Sequence, residues 1–134
     1  METYGYARNA GAVFSLKYHL VFCPKYRKPV LTGAVETRLK ALLLAKAAEL
    51  SVTIHTVEVM PAHVHLFIES DPCLAPAKIA AQFKGCTSRI LRQECRHLRS
   101  RPPSLWSRSD DIGSVGHVSE KTVRRYIEGQ KGRH

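Results

Sequence analysis

Residues 52–68 read VTIHTVEVMPAHVHLFI and hold the clearest structural signal in this chain of 134 residues. Val52–Met60 is rich in β-branched side chains, which favour extended backbone. Val64–Ile68 alternates in the manner of a strand, and Pro61-Ala62 separates the two segments. Together they predict a β-hairpin.

The residues before the hairpin predict a strand and a helix. From Val13 to Phe22 the even positions are apolar and the odd ones include Ser15, Lys17 and His19, as in a strand with one buried face. After Gly33, apolar residues recur at helical spacing and predict a helix of about four turns. They are Val35, Leu39, Leu42, Leu43, Ala47 and Leu50.

The residues after the hairpin predict helix, strand and helix. Pro76 suits the first turn of a helix that we expect to run to about His97. Its predicted apolar stripe is Ile79, Phe83, Cys86 and Ile90. A short fourth strand follows over Ile112–Val118, and Ser119 caps a last helix. The order β-α-β-β-α-β-α predicts an α+β, ferredoxin-like (split βαβ) domain over residues 1–134, with a four-stranded antiparallel sheet, helices on one side and an added C-terminal helix.

The composition favours a nucleic acid as the partner. The formal net charge is +10, and a polyanion is the simplest explanation of such an imbalance, although charge also keeps proteins soluble.

No apolar run approaches the roughly 20 residues of a membrane span. The N-terminus lacks the features of a secretory signal, so we expect a cytoplasmic location and no membrane partner. The four cysteines form no Cys-x-x-Cys pair, which argues against disulfides and a structural zinc site.

The cations are clustered. Arg89, Arg92, Arg96 and Arg99 recur at helical spacing and predict a basic ridge. Lys25-Tyr26-Arg27-Lys28 interleaves an aromatic ring with cations, as single-strand binders often do. A solvated protein face stays open as the explanation of either cluster. The predicted nucleic-acid contacts are Lys25, Arg27, Lys28, Lys84, Arg89, Arg92, Arg96, Arg124 and Arg125.

Two short motifs could carry chemistry. Residues two apart in a strand share a face, so His63 and His65 project together, and imidazole is a good ligand for divalent metals. A purely structural role for the two histidines stays open. Tyr126 and Gln130 share a helix face, and a cation or metal nearby could activate the phenol as a nucleophile. An ordinary core position explains Tyr126 as well, and a core position is also favoured for Trp106, the only tryptophan.

Three segments of the chain resemble a known family. They are YHLVFCPKYRKPVL at 18–31, VMPAHVHL at 59–66 and YIEGQ at 126–130. In this order they resemble the HUH single-tyrosine transposases of the TnpA type, from the insertion sequence 200/605 family. These enzymes move small bacterial elements as single-stranded DNA.

The resemblance implies a function and roles for particular residues. His63 and His65 would bind the catalytic divalent metal, Mg²⁺ or Mn²⁺, with Gln130 as third ligand. Tyr126 would attack the scissile phosphate and form a 5′-phosphotyrosine. The family also implies a homodimer whose sheets join, and recognition of hairpins in single-stranded DNA near the element ends.

Two departures and two alternatives accompany the resemblance. Ala62 stands where many relatives have an acid, and Ser109-Asp110-Asp111 replaces a stretch that is often apolar.

The first alternative is a non-catalytic nucleic-acid module, which would carry exposed aromatics on its central strands where this chain has His63 and His65. The second is an HUH enzyme of plasmid transfer or replication, which usually has further domains.

Overall fold

A computed structural model describes residues 15–99 and 105–115, together with the backbone of residues 8–9 and 12–13. The two helices are α1 (Gly33–Leu50) and α2 (Pro76–Glu94). Short 3-10 turns cover Lys25–Arg27 and Arg96–Leu98. The strands are β1 (Arg8–Asn9), β2 (Ala12–Val13), β3 (Leu16–Phe22), β4 (Thr53–Met60), β5 (His63–Ser70) and β6 (Asp111–Ser114).

The main sheet has four strands in the order β4-β5-β3-β6, and all neighbours are antiparallel. β3 and β4 are joined through α1 and lie on either side of β5, which is the split βαβ connection. The predicted ferredoxin-like sheet and its β-hairpin, formed by β4 and β5, are confirmed. β1 and β2 form a separate two-stranded sheet. The predicted C-terminal helix lies outside the described residues.

The core lies between the two helices and one face of the sheet. Tyr18, Leu20 and Phe22 of β3 join Val64, Leu66 and Ile68 of β5 in one buried cluster with side chains of α1 and α2. These are the residues that the alternation assigned to the helix-covered face. Because neighbours along a strand point to opposite faces, His63 and His65 project away from both helices.

Trp106 anchors the chain that leads into β6. Its ring is 1% exposed and meets Phe22 edge-on, with ring centres 4.8 Å apart. The indole Nε1 donates a hydrogen bond of 2.9 Å to the Thr87 hydroxyl of α2. The prediction of a core position for Trp106 is confirmed.

Several predicted boundaries were wrong. β3 begins at Leu16 rather than Val13, α1 has 18 residues, or about five turns, and β6 begins at Asp111 and ends at Ser114. α2 ends at Glu94 rather than near His97, because Cys95 leaves the helical conformation.

The predicted place of Cys86 on the apolar, core-facing stripe of α2 was also wrong. The buried stripe of α2 follows Ile79, Phe83, Thr87 and Leu91, and this spacing turns Cys86 toward a surface groove of about 270 Å³. Neither α1 nor α2, the two α-helices in residues 15–99 and 105–115, has the length and apolar character of a membrane span.

Candidate metal and nucleic-acid site

The predicted histidine pair lies where β5 begins. Met60 of β4 pairs with His63, so the hairpin turn holds only Pro61 and Ala62, and His63 is the first residue after it. His63 is 4% exposed and His65 is fully buried. Their ring centres are 5.9 Å apart, with an angle of 44° between the rings. The strand therefore brings both imidazoles together on the sheet face opposite the helices.

The spacing of the two rings suits a shared metal ion. A metal bound to an imidazole nitrogen lies about 2 Å from that nitrogen, and so roughly 3 Å from the ring centre. Rings 5.9 Å apart can thus reach one ion lying between them. Within the part of the chain that the structure describes, no group of three His, Cys, Asp or Glu side chains is placed to hold a metal. A metal held by this pair would take its further ligands from another residue type, another part of the chain or solvent.

Acidic residues flank the histidine pair on the same face. Glu58 of β4 is directly opposite His65, and Val21 is opposite His65 on the other side. Asp111 of β6 pairs with Val21 and is therefore the next residue in that row across the sheet. The row places carboxylates on both outer strands, which increases the negative charge around a bound cation.

The predicted nucleophile, the third metal ligand and two of the predicted DNA contacts lie outside the described residues. Tyr126, Gln130, Arg124 and Arg125 belong to residues 116–134, so their positions relative to His63 stay predictions.

The sequence offered no partner for His55, but the structure gives it one. An irregularity in the β4–β5 register between Ile54 and Thr56 accompanies a 2.6 Å contact between the His55 Nε2 and the Glu69 carboxylate. The Ser15 hydroxyl donates to the other Glu69 oxygen. A one-residue irregularity leaves no periodic signal, so the alternation could not reveal this cluster.

His19 lies on the same face as the histidine pair, as its polar register predicted. It pairs with Phe67 on one side and Gly113 on the other. Burial lowers the pKa of His19, and the negative charge of Asp111 partly opposes that shift. A neutral imidazole is therefore favoured at physiological pH.

The basic cluster at residues 25–28 forms a tight exposed turn. Tyr26, Arg27 and Lys28 are exposed, and Lys25 is half-buried. The Lys25 amide donates to the Leu105 carbonyl at 3.0 Å, and the Leu31 amide donates to the Pro61 carbonyl at 3.0 Å. These bonds fix the turn beside the hairpin loop that precedes His63.

The predicted arginine ridge is only partly present. Arg89 and Arg92 are on α2, whereas Arg96 lies in the following 3-10 turn. Arg99 folds back and donates to the carbonyls of Arg92 and Gln93 at 3.1 and 2.8 Å. The helix ends before the spacing can continue, and Arg99 satisfies main-chain acceptors at its end.

Lys84 has a structural contact that the sequence did not suggest. Its ammonium group is 2.5 Å from the Asp110 carboxylate, and the Lys84 side chain is 14% exposed. Asp110 belongs to the stretch where this chain departs from the family pattern. The departure thus supplies an ion pair that ties the segment before β6 to α2.

Comparison with known proteins identifies the family. The family model for IS200-like transposases matches residues 12–130. The ISDra2 transposase TnpA of Deinococcus radiodurans is 34% identical over 125 residues, covering 92% of this chain and 89% of that protein. The transposase for insertion sequence element IS200 of Salmonella typhimurium is 27% identical over 119 residues, covering 87% and 78%.

Two solved structures share the fold. A candidate transposase from Deinococcus radiodurans R1 has a TM-score of 0.74 at 29% identity, covering 92% of this chain and 97% of that one. A REP-associated tyrosine transposase bound to a REP hairpin has a TM-score of 0.59 at 14% identity, covering 95% and 68%. The second likeness concerns the fold alone. With the family model matching most of the sequence, this chain belongs to the IS200-like transposase family.

Proposed function

We propose that this transposase cleaves and rejoins single-stranded DNA at insertion-sequence ends through a covalent 5′-phosphotyrosine on Tyr126. The observation that carries the proposal is the pair of buried imidazoles, His63 and His65, with ring centres 5.9 Å apart on the face opposite the helices. A hydrophobic core already occupies the other face, so packing alone does not require two histidines here.

The residues of the pair would hold a divalent metal, Mg²⁺ or Mn²⁺, with Gln130 as the third ligand. When bound, the ion polarises the scissile phosphate and neutralises developing negative charge. Two nitrogen donors suit Mn²⁺ better than Mg²⁺, because Mg²⁺ prefers oxygen ligands.

In the proposed reaction the Tyr126 phenolic oxygen forms a bond to phosphorus. The bond from phosphorus to the 3′ oxygen breaks, the phenol loses its proton to solvent, and the 3′ oxygen gains one. A phosphodiester is exchanged for a phosphotyrosine ester of similar energy, so the reverse attack by a 3′-hydroxyl rejoins strands without ATP.

The proposed substrate is single-stranded DNA with hairpin ends, bound by a homodimer. The net charge of +10 and the exposed cations Arg27 and Lys28 support a polyanionic partner. The hairpin ends are what the resemblance of the segments at 18–31, 59–66 and 126–130 to the TnpA transposases implies.

The test is cleavage of a single-stranded oligonucleotide that carries the element's end, with Mg²⁺ or Mn²⁺. We expect the parent to cleave and to form a covalent adduct that survives denaturation, and Tyr126→Phe to do neither. His63→Ala should lose cleavage while largely keeping DNA binding. His55→Ala is the matched control on the same face and should still cleave.

Two outcomes would contradict the proposal. Binding without cleavage by the parent would indicate a non-catalytic module. An adduct retained by Tyr126→Phe would show that another residue is the nucleophile.

A further inference from the structure

Tyr26 is an aromatic side chain that the fold does not bury. It is 85% exposed, which is the highest value among the exposed large hydrophobic side chains in the described ranges. An exposed tyrosine offers a flat face to a ligand and loses little conformational freedom when it binds one.

The backbone of Tyr26 is in the left-handed region. Its φ is 60° and its ψ is 18°, and Arg27 follows with a φ of 52°. Most side chains with a Cβ are disfavoured there, whereas glycine has no such penalty and asparagine is tolerated because its short polar side chain can bond locally. Folding alone would thus favour a small residue at position 26. A strained position that carries an exposed ring points to a role in binding.

The turn is fixed in place before any ligand arrives. The Lys25 amide donates to the Leu105 carbonyl at 3.0 Å, and the Arg27 amide donates to the Pro24 carbonyl at 2.9 Å. The preceding Pro24 forms a bridge with Trp106, which is buried. A ring presented on an ordered backbone costs less entropy on binding than one on a mobile loop.

The turn lies at the histidine end of the sheet. Phe22, the last residue of β3, pairs with Val64, so the chain leaves the sheet beside His63. After the turn, the Leu31 amide donates to the Pro61 carbonyl at 3.0 Å, two residues before the same histidine. A strand whose phosphate sits at the histidine pair would therefore have its neighbouring nucleotides near the turn.

We propose that Tyr26 is a stacking platform for one unpaired base of the DNA strand close to the scissile phosphate. The cations beside it, Arg27 and Lys28, hold the flanking phosphates. This inference rests on the proposed function, because it takes single-stranded DNA as the ligand. Aromatic stacking accepts any base, so Tyr26 contributes affinity and position rather than sequence recognition.

The first experiment measures binding of a labelled single-stranded oligonucleotide by fluorescence anisotropy. Tyr26→Ala should bind about fivefold to a hundredfold more weakly, and Tyr26→Phe should stay within about twofold of the parent, because the ring is kept. Leu44→Ala removes another exposed apolar side chain, on α1, and should bind like the parent.

Tyr26→Asn separates binding from folding. Asparagine tolerates the left-handed region, so this variant should melt at a higher temperature than the parent while binding as weakly as Tyr26→Ala. A purely structural role for the ring predicts the opposite change in melting temperature.

An abasic scan locates the stacked base. One abasic position in the oligonucleotide should weaken binding by the parent and have no further effect on Tyr26→Ala. Equal affinities of Tyr26→Ala and the parent, or an equal loss of affinity for duplex DNA, would overturn the inference.

The two proposals fail separately. If the parent does not cleave but Tyr26→Ala still weakens binding, the enzyme assignment falls and the stacking role stands. If the parent cleaves and Tyr26→Ala binds as tightly, only the stacking role falls.

Discussion

Gly113 leaves room for the His19 ring. An ideal Cβ built on Gly113 would lie 2.0 Å from the His19 Nε2, far inside van der Waals contact. The two residues are cross-strand partners, so the imidazole of β3 covers the glycine of β6. An edge strand otherwise gains little from a glycine, which packs poorly and costs backbone entropy.

We predict that Gly113→Ala destabilises the fold by about 1–3 kcal/mol, because the methyl group forces the His19 ring from its place. Urea unfolding followed by Trp106 fluorescence measures the change, since Trp106 is the only tryptophan and is buried. Ser114→Ala, the neighbouring change in β6, is the control and should have a much smaller effect.

The double variant tests the cause. With His19→Ala already present, Gly113→Ala should cost little, because the colliding ring is gone. If the double variant loses as much stability as the two single variants added together, the glycine is needed for another reason.

At the scale of elements, an ion pair joins the two helices. The Arg38 guanidinium of α1 donates to both oxygens of Glu94, the last residue of α2, at 2.8 and 2.9 Å. Its hydrogen bonds to Arg38 lower the pKa of Glu94. A carboxylate with a lowered pKa stabilises the folded chain above its ordinary pKa and loses that effect as the pH falls through the lower folded-state value.

We therefore predict that Glu94→Gln lowers the melting temperature slightly at neutral pH. The difference from the parent should shrink once the pH falls below the ordinary glutamate pKa of 4.5, and vanish below the lower pKa that Glu94 has in the folded chain, where the folded parent is protonated too. Circular dichroism melts across that range measure it. Glu49→Gln removes an ion pair to Lys46 inside α1 and leaves the contact between helices intact, which makes it the matched control. A difference that persists at low pH would show that the ion pair is not the cause.

Strands and helices could be predicted from the sequence where their apolar residues recur at a regular spacing. The alternation in β3 and β5 assigned the buried face correctly, because side chains along a strand alternate strictly. Helix ends depend on single residues, and Arg99 folds back onto main-chain carbonyls in a way that no period encodes. The partners of Lys84 and His55 are distant in sequence or shifted by an irregular register, so only the folded chain reveals them.

At the scale of the whole molecule, the net charge overstates the surface available to DNA. Lys84 is committed to Asp110 and Arg38 to Glu94, whereas Lys28 is exposed in the turn beside the histidine pair. Counterion release on binding single-stranded DNA depends only on the cations that meet phosphates.

We predict that Lys28→Ala reduces the slope of log affinity against log salt concentration by about 0.7, the value for one contact with single-stranded DNA. Lys84→Ala should leave that slope unchanged and lower the melting temperature, because its ammonium group holds Asp110. Titrations of one oligonucleotide at several salt concentrations distinguish the two variants. Equal slope changes would mean that Lys84 leaves Asp110 when DNA binds.

The two-residue hairpin turn makes the histidine pair sensitive to insertions. Met60 pairs with His63 across Pro61-Ala62, and strand faces alternate at every residue. Inserting or deleting one residue at this turn would exchange the two faces of β5, turning His63 and His65 into the core and Val64 out of it. The histidine pair can therefore be lost from its face of the sheet by a change of chain length that alters neither histidine, so the length of the turn is as restricted here as residue identity.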